Sequence, residues 1–147
     1  MEDKIWYRLP TSKPYPVLDN TLHIESSNYK ASLYYISEAI NIFNKNIEWD
    51  GMWDLLQATE RLENGEDLFI YAPDDHPKAF VWFKENYLYN FFVAPEVRKE
   101  SIGEKLIKHA YNILPYTTFY AYTESWNKVT QNFTEKRVGG IRIYSYL

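Results

Sequence analysis

With 147 residues, 46% of them hydrophobic and 18% aromatic, the chain fits one domain over residues 1–147 with a real core, and the composition argues against disorder. The absence of cysteine excludes a disulfide framework, a thiolate metal site and a cysteine nucleophile. A formal net charge of -4 argues against bulk nucleic-acid binding and leaves a cationic or amine partner open.

Ile5–Leu9 reads as a short strand, and the proline-bearing run from Leu9 to Asn20 as an irregular loop. Met1-Glu2-Asp3-Lys4 is polar with no apolar stretch behind it, and no run approaches the roughly 18–20 apolar residues of a membrane span. A cytoplasmic protein without a membrane segment is therefore expected. Thr21–Glu25 alternates as a strand does. Ser26-Ser27-Asn28 offers a cap, after which Leu33, Ile36, Ile40 and Phe43 recur at helical spacing. Asp50 is a second candidate cap. Met52, Leu55, Leu56, Thr59 and Leu62 form the next stripe, which Asn64-Gly65 ends. Asp67–Tyr71, Ala79–Lys84 and Tyr87–Val93 follow as strands joined by short turns, which requires an antiparallel meander. A helix with Ile102, Leu106, Ala110 and Ile113 on one face comes next and stops at Pro115. Thr118–Thr123 reads as a strand. Ser125 can cap a last helix with Trp126, Val129 and Phe133 on one face, and after Gly139-Gly140 Ile141–Leu147 reads as the final strand.

The resulting order is strand, helix, helix, three strands, helix, strand, helix, strand. It predicts an α/β fold: a central mixed, mostly antiparallel sheet with about four helices. The unit from Tyr87 to Thr123 should be a right-handed parallel strand–helix–strand. The 14 tyrosines and five tryptophans exceed what one small core holds, so some rings must line a groove or stand at the surface.

The most informative stretch is VAPEVRKESIGEKL, from Val93 to Leu106. Ser101-Ile102-Gly103-Glu104 matches a capping box, in which serine accepts from a first-turn amide and glutamate reaches back. That leaves Gly103 unexplained, since glycine costs about 1 kcal/mol relative to alanine inside a helix. It also leaves Arg98 and Lys99 unexplained, because a helix N-terminus disfavours cations. An anion held by the first-turn amides accounts for both.

The stretch from Tyr89 to Gly103 resembles the acetyl-CoA signature of the GNAT superfamily of N-acetyltransferases, and is especially similar to the ribosomal-protein alanine N-acetyltransferases. The residue pattern runs from Tyr89 to about Gly140, and the order of elements fits the GNAT fold over nearly the whole chain. The resemblance implies acetyl-CoA as cofactor. It implies that backbone groups of Phe91, Phe92 and Val93 face the pantetheine arm or the thioester. It further implies that the amides from Lys99 through Glu100, Ser101, Ile102 and Gly103 to Glu104 hold the pyrophosphate, that Arg98 and Lys99 add charge, and that Asn127 contacts the cofactor. Phe133-Thr134-Glu135-Lys136 and Gly139-Gly140 look like the family's closing segment. The sequence departs from the pattern in four places. Ser101 stands at the signature's first glycine. Thr134 stands where a tyrosine often protonates the departing thiolate. Tyr122 stands where the alanine N-acetyltransferases carry a basic glutamate. One residue is added before Gly139, with one strand expected after it where the family usually has two.

Acetyl transfer to an amine needs positioning, a donor that polarises the carbonyl and an acceptor for the amine proton. Tyr122 and Asn90 are the catalytic candidates, with Tyr89 beside them. His23, His76 and His109 have no metal-site spacing. Glu48, Asp50 and Asp54, near Trp49 and Trp53, would suit a cationic acceptor. The leading expectation is an N-acetyltransferase in which a small-molecule or peptide amine attacks acetyl-CoA directly. Two alternatives stay open: a catalytically weak binding module acting through a macromolecular partner, and a nucleic-acid-modifying member of the same fold, whose exposed rings would stack on bases. The resemblance also makes a homodimer an option.

Overall fold

The computed structural model describes residues 4–46 and 53–143. Glu48, Trp49, Asp50 and Met52, and the last strand's residues beyond Ile143, lie outside them.

Among the described residues seven strands form one sheet: β1 (Lys4–Pro10), β2 (Thr21–Ile24), β3 (Asp67–Tyr71), β4 (Ala79–Lys84), β5 (Tyr87–Val93), β6 (Thr118–Glu124) and β7 (Ile141–Ile143). Both N-terminal segments are strands, so the expected order gains one strand at its start. The spatial order is β2-β3-β4-β5-β6-β1-β7. Every neighbouring pair is antiparallel except β5 and β6. The meander β3–β4–β5 has the bounds that the alternation and short turns required.

The helices are α1 (Leu33–Asn46), α2 (Leu55–Glu63), α3 (Ile102–Ile113) and α4 (Lys128–Lys136). One face of the sheet packs Phe80, Trp82, Leu68 and Ile70 against Ile36, Ala39 and Phe43 of α1 and Ala58 and Leu62 of α2. The other packs Tyr7, Phe69, Val81, Phe83 and Phe119 against Ile102, Leu106, Ala110 and Tyr111 of α3, with Phe133 of α4 at its margin. Covered on both faces, β4 is a continuous apolar run, AFVWF, buried residue after residue. Among the described residues no helix is long and apolar enough to cross a membrane.

Several local expectations give way to tertiary context. Asp54 caps α2, in a capping box with Gln57. The buried stripe of α2 is then Ala58 and Leu62, four apart, and Leu55 and Leu56 are exposed. Asn28 caps no helix with its side chain; its carboxamide bonds the amide of Glu25 and the carbonyl of His23. Leu33 and Ile113 fall outside their helices' buried faces. Asn127, not Ser125, caps α4, its Oδ1 accepting from the Thr130 amide at 3.1 Å. Trp126 therefore precedes the helix and is 71% exposed, and Val129 is exposed too. The buried face of α4 carries Gln131 and Thr134. It is polar because it closes the end of β6: the Gln131 amide donates to the carbonyls of Glu124 and Ser125.

Candidate functional site

The parallel strands β5 and β6 are joined at one register pair, Tyr87 with Tyr120. The Tyr120 amide donates to the Asn86 carbonyl at 2.9 Å, and Asn86 Nδ2 donates to the Thr118 carbonyl at 3.2 Å. Beyond this junction the strands part, and both lose their ladder partner on the inner edge. Ala94, just past β5, donates to the Lys78 carbonyl at 2.8 Å. Antiparallel alternation then directs the backbone groups of Phe92 and Asn90 toward β4 and those of Phe91 and Val93 into the opening. Phe92 thus has no free amide there, and its ring packs on Phe43 and Phe80. A register shift between Trp82 and Phe83 makes Tyr89 the extra residue of a β-bulge. Such a bulge bends β5 where it leaves β6.

The outer part of the opening is a cleft of about 410 Å³ beside the start of α3, lined by Phe91, Phe92, Val93, Arg98, Ser101, Gly103, Glu104, Val129, Thr130, Phe133 and Arg137. A 3₁₀ turn, Pro95–Glu100, leads into α3 through Ser101 in the left-handed region, at φ 58°. Ser101 makes no side-chain cap, so the expected capping box with Glu104 does not form. Glu104 instead bonds Lys108 at 3.0 Å and faces Arg137 at 3.9 Å. The first-turn amides of α3 are left without a side-chain cap. Gly103 has a packing reason: a Cβ there would stand 3.2 Å from Val93 Cγ2 and 3.3 Å from the Phe133 ring. The glycine lets α3 approach β5 and α4, where sequence reasoning had assigned it to ligand approach. Arg98 Nε donates to the Val93 carbonyl at 3.0 Å, which occupies one of the groups expected to face a ligand. The side chains of Lys99 and Glu100 are exposed and do not line the cleft, and Ile102 is buried in the core. Arg137 was missed in sequence, where it sat in an apparent insertion.

The inner part, of about 220 Å³, shares Phe91, Thr130 and Phe133 with the outer part. It adds Asn90, Tyr122, Thr123, Glu124, Asn127 and Thr134, among others. The two catalytic candidates, Tyr122 and Asn90, are thus brought together with Asn127. The Tyr122 ring packs against Trp6 at 5.2 Å and Tyr87 at 6.3 Å, with Lys4 Nζ 4.5 Å from its centroid. Burial, then the neighbouring Tyr122 and Glu124, pushes the Tyr87 hydroxyl up to about 12. Asn127 Oδ1 is committed to capping. Thr134 Oγ1 donates to the Thr130 carbonyl at 2.8 Å, a local backbone bond that leaves it no acid role. Thr123 Oγ1 is buried without a partner. Glu124 and Thr123 went unnoticed in sequence, because nothing in the alternation of TFYAYTE marks the point where β6 loses its neighbour.

On the α1–α2 face Trp53, Trp82 and Tyr89 are grouped, with Trp53 and Trp82 stacked at 5.2 Å. The Arg61 guanidinium lies 5.0 Å from the Trp53 ring and 5.1 Å from Tyr89. The Tyr89 hydroxyl bonds the buried Glu66 carboxylate, which Arg61 also approaches at 3.3 Å. Burial first, then Glu66, raises the Tyr89 pKa. Trp53, the described one of the two rings expected to bind a cation, is therefore already covered by the chain's own cation, and Asp54 is a cap. His23 bonds Asp67, and His109 Nδ1 accepts from the Leu18 amide, both away from the cleft. Among the described residues no group of three or more His, Asp or Glu is placed to hold a metal.

The model of the acetyltransferase (GNAT) family matches residues 31–139. No curated protein matches the sequence significantly. Among solved structures, a GNAT-family acetyltransferase from Colwellia psychrerythraea has TM-score 0.61 and 16% identity over 97% of this chain and 53% of its own. A ribosomal-protein-alanine N-acetyltransferase from Brucella melitensis biovar Abortus 2308 has TM-score 0.59 and 12% identity over 86% of this chain and 96% of its own. An aminoglycoside acetyltransferase from an uncultured soil metagenomic sample, solved with sisomicin, has TM-score 0.58 and 14% identity, covering 86% and 93%. The chain spans about half the length of the first structures it matches, 57%, 53% and 47%. At these identities the structural likeness speaks for the fold.

Proposed function

This chain belongs to the GNAT family of acetyltransferases, and from that premise we propose that it is an acetyl-CoA-dependent N-acetyltransferase in which an acceptor amine attacks the thioester directly. The observation that carries the reading is the parting of β5 from β6, beside which lie two adjoining pockets that share Phe91, Thr130 and Phe133, one at the start of α3 and one between the two strands. The residues fit the coenzyme. The outer cleft has a cationic rim in Arg98 and Arg137, uncapped helix amides, and β5 backbone that can accept an added half-strand. When bound, acetyl-CoA supplies an activated acetyl group and a good leaving thiol.

The chain's own contribution is positioning and charge. The amides of Ile102, Gly103 and Glu104 would hold pyrophosphate oxygens, helped by Arg98 and Arg137. Phe91 would offer N–H and C=O to the pantetheine arm, and Val93 its N–H, its carbonyl being held by Arg98. One of these two amides serves as carbonyl polariser, in place of Phe92. Tyr122 and Asn90 would orient the amine, and the Asn127 carboxamide nitrogen is left for the cofactor. The Glu124 carboxylate, which lines the inner part, receives the amine proton, directly or through water. The acceptor is a small-molecule or peptide amine.

Calorimetry with acetyl-CoA, followed by thiol release with a panel of amines, tests the reading. Binding together with amine-dependent release is expected. A folded chain that binds no acetyl-CoA at millimolar concentration would sink it. Binding without release from any amine would leave a binding module.

A further inference from the structure

Among the described residues three buried side-chain oxygens have no hydrogen-bond partner: Thr21 Oγ1, the Tyr111 hydroxyl and Thr123 Oγ1. Thr21 and Tyr111 line neither part of the cleft. Thr123 lines the inner part and is 3% exposed. It stands three residues beyond the Tyr87–Tyr120 junction on β6, as Asn90 does on β5. Thr123 therefore stands on β6 between the junction and the level of Phe91 on β5, and it lines the inner part from the sheet face that carries Phe119 and Ala121. A buried hydroxyl normally has a partner, because an unmade hydrogen bond away from water is costly. Its neighbours on the same strand face, Phe119 and Ala121, are apolar, and the other buried hydroxyl at this end, that of Thr134, is spent on the Thr130 carbonyl.

Resting on the acetyl-CoA reading above, we infer that Thr123 is the hydrogen-bond donor kept for the sulfur end of the coenzyme. A threonine hydroxyl is too weak an acid to release its proton, so no bond at Thr123 is made or broken. It donates a hydrogen bond, weakly to a neutral sulfur and more strongly to the thiolate, because charge on the acceptor strengthens the bond. The arrangement answers the substitution at Thr134. The group facing the sulfur comes from the strand, and the α4 residue is committed to its own helix. Thr123 is thus a binding and positioning residue, and its effect should appear in binding of the coenzyme itself.

The test uses the purified full chain, Thr123→Val, which keeps the shape without the hydroxyl, and Thr123→Ser, which keeps the hydroxyl. Each is titrated with coenzyme A and with desulfo-coenzyme A, and melted without ligand. Above the pH at which the bound thiol ionises, Thr123→Val should bind coenzyme A about 5- to 10-fold more weakly, with a smaller loss below it; it should bind desulfo-coenzyme A as the wild type does at every pH, and melt at the same or a higher temperature. Thr123→Ser should restore the affinity. The bound thiol, followed by its ultraviolet thiolate absorbance, should ionise about one pH unit lower in the wild type than in Thr123→Val. Equal affinity in the two proteins, an equal loss for both probes, or a lower melting temperature for Thr123→Val would overturn the inference. The last result marks a structural hydroxyl completed by buried water. Failure of the wild type to bind either probe overturns the acetyl-CoA reading as well, and shows in the wild type alone.

Discussion

The outer and inner parts of the cleft are built from different materials. The outer part offers mainly backbone: the β5 edge at Phe91 and Val93 and the first turn of α3, with two arginines at its rim. The inner part offers side chains: Asn90, Tyr122, Thr123, Glu124 and Asn127. The outer part keeps its form although Ser101 stands where a glycine is usual, because every residue carries an amide and only the backbone path must be preserved. The inner part has no such tolerance. Thr134 and Tyr122 in place of a tyrosine and a glutamate change which groups are available for chemistry, and the proposed proton acceptor is Glu124 instead. A cleft of this kind can hold one constant ligand while the chemistry beside it diverges.

The largest effect that would break this contrast lies in the outer part. Gly103→Val would drive a branched side chain into Val93 and Phe133, contacts already as close as 3.2 Å for a bare Cβ. We expect coenzyme A affinity to fall by at least about 100-fold, with a loss of about 1–3 kcal/mol in stability from overpacking. Calorimetry beside chemical denaturation separates the two. At the inner part, Glu124→Gln should lower kcat by about 10²-fold, while acetyl-CoA affinity stays within about twofold. An equal fall in affinity would erase the distinction between the two parts.

Smaller again is Ser101→Gly. Serine at φ 58° sits where only glycine is free of strain, and it makes no cap. The substitution should raise stability by about 1 kcal/mol and keep or improve coenzyme A affinity, measured by melting and titration. Lost affinity would mean that the outer part depends on this side chain after all. The smallest effect separates the fold from both parts. Burial, and then His23, depress the His109 pKa, and its Nδ1 accepts from the Leu18 amide. Folding therefore disfavours its protonation. Its contribution is full above the unfolded value of about 6.5 and is lost as pH falls through that value toward the lower folded one. Denaturation midpoints should decline below about pH 6.5, less so in His109→Gln.

What could be read in advance divides along the same line. The strands at Asp67–Tyr71, Ala79–Lys84 and Tyr87–Val93 stand where alternation and short turns put them. Ser101 and Glu104 matched a capping box in pattern, yet the 3₁₀ turn before α3 forces Ser101 left-handed and turns Glu104 to Lys108 and Arg137. Trp126 and Val129 had helical spacing, but the face of α4 that turns inward is the one able to bond the end of β6. Arg137, Thr123 and Glu124 belong to no local pattern and became visible only where the chain had folded around them.

By itself the sequence determined most of the elements and the strand-to-helix turn beside the outer part, because apolar periodicity, short turns and a basic, serine- and glycine-bearing segment are local properties of the chain. The tertiary structure alone decided which groups join Asn90, Tyr122 and Asn127 in the inner part. Which side chains face the gap follows from where β5 leaves β6, from the bulge at Tyr89, and from the pairing of β6 with β1, a strand more than 100 residues earlier in the chain. Those are pairings between distant segments, and no local spacing encodes them.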